Sequence, residues 1–119
     1  MLVRDSVISG NNVTVSSTTG SATVQGVGIT NNGVLELRNT RISDNTGTAT
    51  GPTGDAQGGG IWNGALLFGS PSAELTMRDS KITHNKLSGS AGIALQGGGL
   101  FTTFPVTLTH SNISGNVPR

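Results

Sequence analysis

The sequence predicts an all-β protein, a right-handed parallel β-helix: a solenoid of about four coils with three short strands per coil. Three observations lead there. They are an internal repeat, an apolar alternation of period two inside it, and a composition too poor in large apolar groups for a thick core.

The repeat emerges when the segments ending at Asn11, Asn45, Asn85 and Asn116 are written one under another: MLVRDSVISGN, VLELRNTRISDN, ELTMRDSKITHN and PVTLTHSNISGN. They share apolar-x-apolar, three mostly polar residues, then x, Ile, Ser or Thr, x, Asn. The Ile recurs as Ile8, Ile42, Ile82 and Ile113. A second block, Gln-Gly-x-Gly-apolar, runs from Gln25 to Ile29, from Gln57 to Ile61 and from Gln96 to Leu100. It precedes the Asn block each time. Two motifs recurring in one fixed order mark a stack of like units.

Within a block, Leu35, Leu37 and Ile42 are apolar while Glu36, Arg38, Arg41 and Ser43 lie between or beside them. Leu75, Met77, Ile82 and Val106, Leu108, Ile113 repeat the arrangement. Such alternation, bounded by Gly, Asn and Ser, is that of short strands, and no segment has a 3.6-residue period. One coil then holds Gly-x-Gly-Ile, apolar-x-apolar and Ile-Ser-x-Asn. Equivalent strands stack in parallel at about 4.8 Å per coil. Residues 12–25, 46–57 and 86–96 read as long linkers, and residues 64–74 as an insertion in the third coil.

Composition agrees. The 119 residues include 19 glycines, 11% charged side chains and four aromatics: Trp62, Phe68, Phe101 and Phe104. That is one domain, spanning 1–119, with a thin Ile/Val/Leu core inside a Ser/Thr/Asn/Gly shell. The net charge of +1 implies neither nucleic acid nor an anionic membrane as partner. Absence of cysteine excludes disulfides and thiolate metal sites. No apolar stretch reaches the roughly 20 residues of a membrane span, and the N-terminus has no signal-peptide pattern. Neither end carries a capping helix, so the chain is expected to be a fragment of a longer helix or an uncapped module. In the second case exposed coil ends would drive homo-oligomerisation.

The Gly-Gly-Gly-Ile-Trp-Asn (58–63) and Ser-Lys-Ile-Thr-His-Asn (80–85) blocks resemble the repeats of bacterial right-handed β-helix proteins, over nearly the whole chain. That group includes pectate-lyase-like secreted proteins and the passengers of polymorphic outer-membrane and autotransporter proteins. The resemblance implies an extracellular or cell-surface location. It leaves function open, because the same coil supports lyases, hydrolases, adhesins and stalks. Its lyases use Arg or Lys beside calcium-binding carboxylates, and its hydrolases use grouped aspartates. No strand block here pairs two Asp residues.

Three sets of residues are candidates for a role. Asn11, Asn45, Asn85 and Asn116 form a column that reads as a structural ladder of stacked amides. Trp62 and Phe101 should point outward beside Gly60 and Gly99, giving an aromatic pair next to a bare floor that could stack on sugar rings. The alternative is that linkers cover this face, glycine permitting the close approach. Asp44, His84, Arg41 and Lys81 make the best enzymatic cluster, against which stands a solvated polar face. No metal or cofactor is expected; Asp55 alone makes a weak calcium ligand, and the sequons at Asn12 and Asn112 are common by chance in such a chain.

The expected role is therefore a non-catalytic extracellular or surface segment for adhesion, polysaccharide or protein contact, or self-association. A fragment of a polysaccharide lyase or glycoside hydrolase is the alternative.

Overall fold

The computed structural model describes residues 1–64 and 73–118. The expected insertion at 64–74 falls largely outside them. Along the described chain come β1 (Leu2–Arg4), β2 (Val7–Ser9), β3 (Asn12–Ser16), β4 (Ser21–Gln25) and β5 (Ile29–Asn31). A second round follows as β6 (Val34–Arg38), β7 (Arg41–Ser43), β8 (Thr46–Thr50), β9 (Thr53–Gln57) and β10 (Ile61–Asn63). The third is β11 (Glu74–Arg78), β12 (Lys81–Thr83), β13 (Lys86–Gly89), β14 (Ile93–Gln96) and β15 (Leu100–Thr102). It leads into β16 (Val106–Thr109) and β17 (Asn112–Ser114).

All pairing between these strands is parallel, and each strand lies on its counterpart one coil away. The result is a stack of five sheets, which we letter A to E: β1-β6-β11-β16, β2-β7-β12-β17, β3-β8-β13, β4-β9-β14 and β5-β10-β15. The architecture is all-β and solenoidal, with no helix among the described residues. None, therefore, is long and apolar enough to cross a membrane. The three strands expected per coil are sheets E, A and B. Segments 12–25, 46–57 and 86–96 are not plain linkers: each folds into two further strands, in sheets C and D. Their alternation is hard to see because small residues fill the inward positions of β8, at Gly47 and Ala49.

The register aligns the repeat residue by residue. Ile8, Ile42, Ile82 and Ile113 share one column, and Val3, Leu37, Met77 and Leu108 another. Two separate cores result. Ile29, Leu35, Leu37, Ile42, Ile61, Leu75, Met77 and Ile82 fill the space between sheets A, B and E. Ala22, Val24, Val27, Ala49, Ala56, Leu87 and Ile93 fill a thinner space where sheets C and D lie against each other. Thinness there is enforced by glycine. A Cβ on Gly47 would lie 2.7 Å from Val27 Cγ2 and 2.9 Å from Leu87 Cδ2. Each coil thus has a wide lobe and a narrow one, joined at a neck.

Corners between strands are made by residues of positive φ in vertical columns. Asp5, Asn39, Asp79 and His110 turn the chain from sheet A to sheet B; Gly10, Asp44, His84 and Gly115 turn it from B to C. Asn, Asp and His tolerate the left-handed region better than other non-glycine residues, and glycine enters it freely. Inside the first of these corners, Thr40, Ser80 and Ser111 each donate a hydroxyl hydrogen to the carbonyl two residues back. The hydroxyls of Ser80 and Ser111 accept the Thr40 and Ser80 amides of the coil before.

Candidate functional site

The most regular feature is the column Asn11, Asn45, Asn85, Asn116 at the neck. Asn45 and Asn85 are fully enclosed, Asn116 is buried and Asn11 is exposed at the first layer. Asn85 Oδ1 accepts both the Asn45 backbone N–H, at 3.1 Å, and Asn45 Nδ2, at 2.9 Å. Asn85 Nδ2 donates to Asn116 Oδ1 at 2.9 Å and to the Ile42 carbonyl at 3.0 Å. Asn45 makes the same set with Asn11 before it and Asn85 after it, and donates to the Ile8 carbonyl at 3.1 Å. One amide therefore gives a corner N–H its acceptor in the interior and adds a donor to a strand carbonyl of the coil before. A carboxylate has no hydrogen to donate, and an alkyl group can neither donate nor accept.

The glycine block is the other half of this device. A Cβ on Gly60 would lie 2.7 Å from Ile82 Cγ2 and 3.0 Å from Asn85 Nδ2. On Gly28 it would lie 3.0 Å from Ile42 Cγ2 and 3.2 Å from Asn45 Nδ2, and on Gly99 it would run into the Asn116 amide. The two recurring motifs thus meet across the neck of each coil: glycine clears the space that asparagine fills.

This overturns the expectation that Gly60 and Gly99 floor an outer groove. The Gly60 and Ile61 amides both donate to the Gly99 carbonyl, at 2.9 and 2.8 Å, so two residues face one. Gly28 and Ile29 do the same to the Gly60 carbonyl, at 3.1 and 2.9 Å. A bulge of this kind breaks strict alternation and turns successive residues to the same side. Glycine and the following apolar residue then both face inward.

Trp62, expected outside, is only 5% exposed. Its indole N–H donates to Gln57 Oε1 at 3.1 Å, and its ring passes close to Gly64. Phe101, its register partner, is half-buried. The pair is on neighbouring coils as expected, without the open aromatic face that stacking on a sugar needs.

A second ladder was not legible as such in the repeat. Asn31 Nδ2 donates to Asn63 Oδ1 at 2.7 Å, and Asn63 Nδ2 to Thr102 Oγ1 at 3.0 Å. The signal was present as Ile-Thr-Asn, Ile-Trp-Asn and Leu-Phe-Thr, but Thr in the third position hid the column.

The four residues of the enzymatic cluster separate into two roles. Asp44 and His84 are exposed corner residues, at φ 56 and 57. Gly10 and Gly115 hold the same corner in the outer coils, so the position selects for conformation and not for a titratable group. Arg41 and Lys81 are register partners on sheet B, both exposed. They line an open groove of about 350 Å³ with Asp5, Asn39 and Asp79; Asp44 and His84 do not. Nearby, Glu36 pairs with Arg38 at 2.6 Å and lies 3.8 Å from Arg78. Asn39 Nδ2 donates to Asp5 Oδ1 at 2.8 Å. Among the described residues no three of His, Asp and Glu gather as a metal site. The groove offers charges of both signs, and among the described residues no ion pair joins Asp5 or Asp79 to Arg41 or Lys81.

Comparison of the chain with protein-family models, with curated proteins and with solved structures gave no match.

Proposed function

We propose that this chain is a non-catalytic segment of a right-handed parallel β-helix, of the pectate-lyase-like or autotransporter-passenger kind, that acts outside the cell or at its surface as a rigid support. The supporting observation is the fate of the recurring residues. Asn, Gly and the Asp/Asn/His corners are all committed to hydrogen bonds, close approach or backbone conformation. Contact with polysaccharide or protein is left to the exposed side chains of the outer face. Self-association through the coil ends belongs to the same reading, since Val13, Leu108 and Ile113 are 38%, 47% and 36% exposed in the outermost layers.

Two measurements test it. Incubation with a panel of acidic and neutral polysaccharides should release neither new reducing ends nor unsaturated products. Release of either would overturn the non-catalytic reading in favour of a lyase or hydrolase fragment. Sedimentation over a concentration series should show reversible association that Leu108→Asp weakens. A concentration-independent monomer would remove self-association from the proposal.

A further inference from the structure

The sequence holds two Asn-Gly pairs, Asn32-Gly33 and Asn63-Gly64. In such a pair the unhindered glycine amide nitrogen can attack the side-chain carbonyl of the asparagine before it. The nitrogen of Gly33 bonds to Asn32 Cγ, ammonia leaves, and a five-membered succinimide closes. Water then opens either of the ring's two C–N bonds. Cleavage at Cγ gives Asp; cleavage at the backbone carbonyl gives isoaspartate, in which the main chain runs through the former side chain. The only co-reactant is water.

The fold separates the two pairs. Asn63 is fully buried. Its Oδ1 accepts from Asn31 and its Nδ2 donates to Thr102, so the group that must leave is locked in the second ladder. The Gly64 N–H is held by the Asn31 carbonyl at 3.1 Å, and ring atoms of Trp62 lie 3.1 Å from where a Gly64 Cβ would be. Asn32 and Gly33, by contrast, are exposed in the bend between β5 and β6. The Asn32 side chain makes no hydrogen bond among the described residues. One restraint opposes attack, a 3.2 Å bond from the Gly33 N–H to Asn31 Oδ1.

Gly33 also has no structural need to be glycine. Its φ lies outside the left-handed region, and a Cβ there would meet nothing within 4 Å. Its carbonyl, however, is a joint between layers, accepting the Glu74 N–H at 2.8 Å and Asn31 Nδ2 at 3.0 Å.

We infer that Asn32 is a site of spontaneous deamidation and isoaspartate formation in the folded protein, while Asn63 is protected by its ladder. The product places a new carboxylate beside sheet A. In the isoaspartate form it also lengthens the main chain by one carbon next to the Gly33 joint, loosening the attachment of β6 to β11.

The test is to age the intact protein in mildly alkaline buffer and map the amide-to-acid mass gain by peptide mass spectrometry, with an isoaspartate-specific methylation assay. Asn32 should convert roughly tenfold or more faster than Asn63, the difference that about 1.4 kcal/mol of protection gives. In denaturant the two rates should converge. Gly33→Ala should slow conversion at Asn32 while leaving the circular dichroism spectrum and unfolding midpoint unchanged. Equal rates at Asn32 and Asn63 in the folded chain would overturn the inference. So would conversion at Asn32 no faster than at Asn12, an exposed asparagine not followed by glycine.

Discussion

Asn85 shows how much one side chain carries in a solenoid. Its side chain makes four hydrogen bonds to three residues in the coils before and after it, all in the interior. Asn85→Ala would leave the Asn45 amide without its acceptor and take a donor from the Ile42 carbonyl. It should lower the urea unfolding free energy by about 2–4 kcal/mol. Asn85→Asp should cost at least as much, since its oxygens face Asn116 Oδ1 with no hydrogen to offer. Gly60→Ala acts at the same neck from the other side. Its Cβ would sit 2.5 Å from the Gly99 carbonyl oxygen, and the expected loss is about 2–3 kcal/mol. Ser43 is the opposite case: buried, with a hydroxyl that has no partner among the described residues. Ser43→Ala should be neutral or stabilising by up to about 1 kcal/mol in the same assay.

At the scale of the element, corners decide where strands end. The Asp44 and His84 column was legible in the sequence as a vertical alignment of polar groups, and its chemistry suggested a catalytic reading. Backbone conformation explains it better, because glycine replaces both residues in the outer coils. Asp44→Gly should therefore leave stability within about 0.5 kcal/mol of the parent. Asp44→Val, which brings a β-branched side chain into the left-handed region, should cost about 1–2 kcal/mol by chemical denaturation. A catalytic role for Asp44 would make the two variants equally inactive; a corner role separates them by stability. Sheets C and D were hidden for a related reason. Their inward positions are Gly and Ala, and a period-two pattern written in small residues does not stand out from a linker.

For the whole molecule, stability is a sum over layers, each touching only its neighbours. Among the described residues the middle coil has partners on both sides and the outer ones on one. Amide hydrogen exchange should therefore be slowest in β6, β7, β11 and β12 and faster in β1–β4 and in β16 and β17, where exchange at the unpaired edge needs only local opening. Uniform protection from end to end would mean that the outer layers are covered in solution. Trp62, buried in the central coil, should show blue-shifted emission that polysaccharides leave unchanged.

The sequence alone determined the repeat, the parallel stacking and the columns of Ile and Asn, because these depend on spacing along the chain, and spacing is what a sequence records. It also contained every residue of the neck. Only the tertiary structure decided that the glycine block faces that Asn column and not solvent, since a bulge of one residue reverses the direction of a side chain. The burial of Trp62 was decided there too, by Gln57 and the backbone at Gly64. The division of Arg41 and Lys81 from Asp44 and His84 came last: the strand residues line the groove, and the corner residues three further along the chain do not.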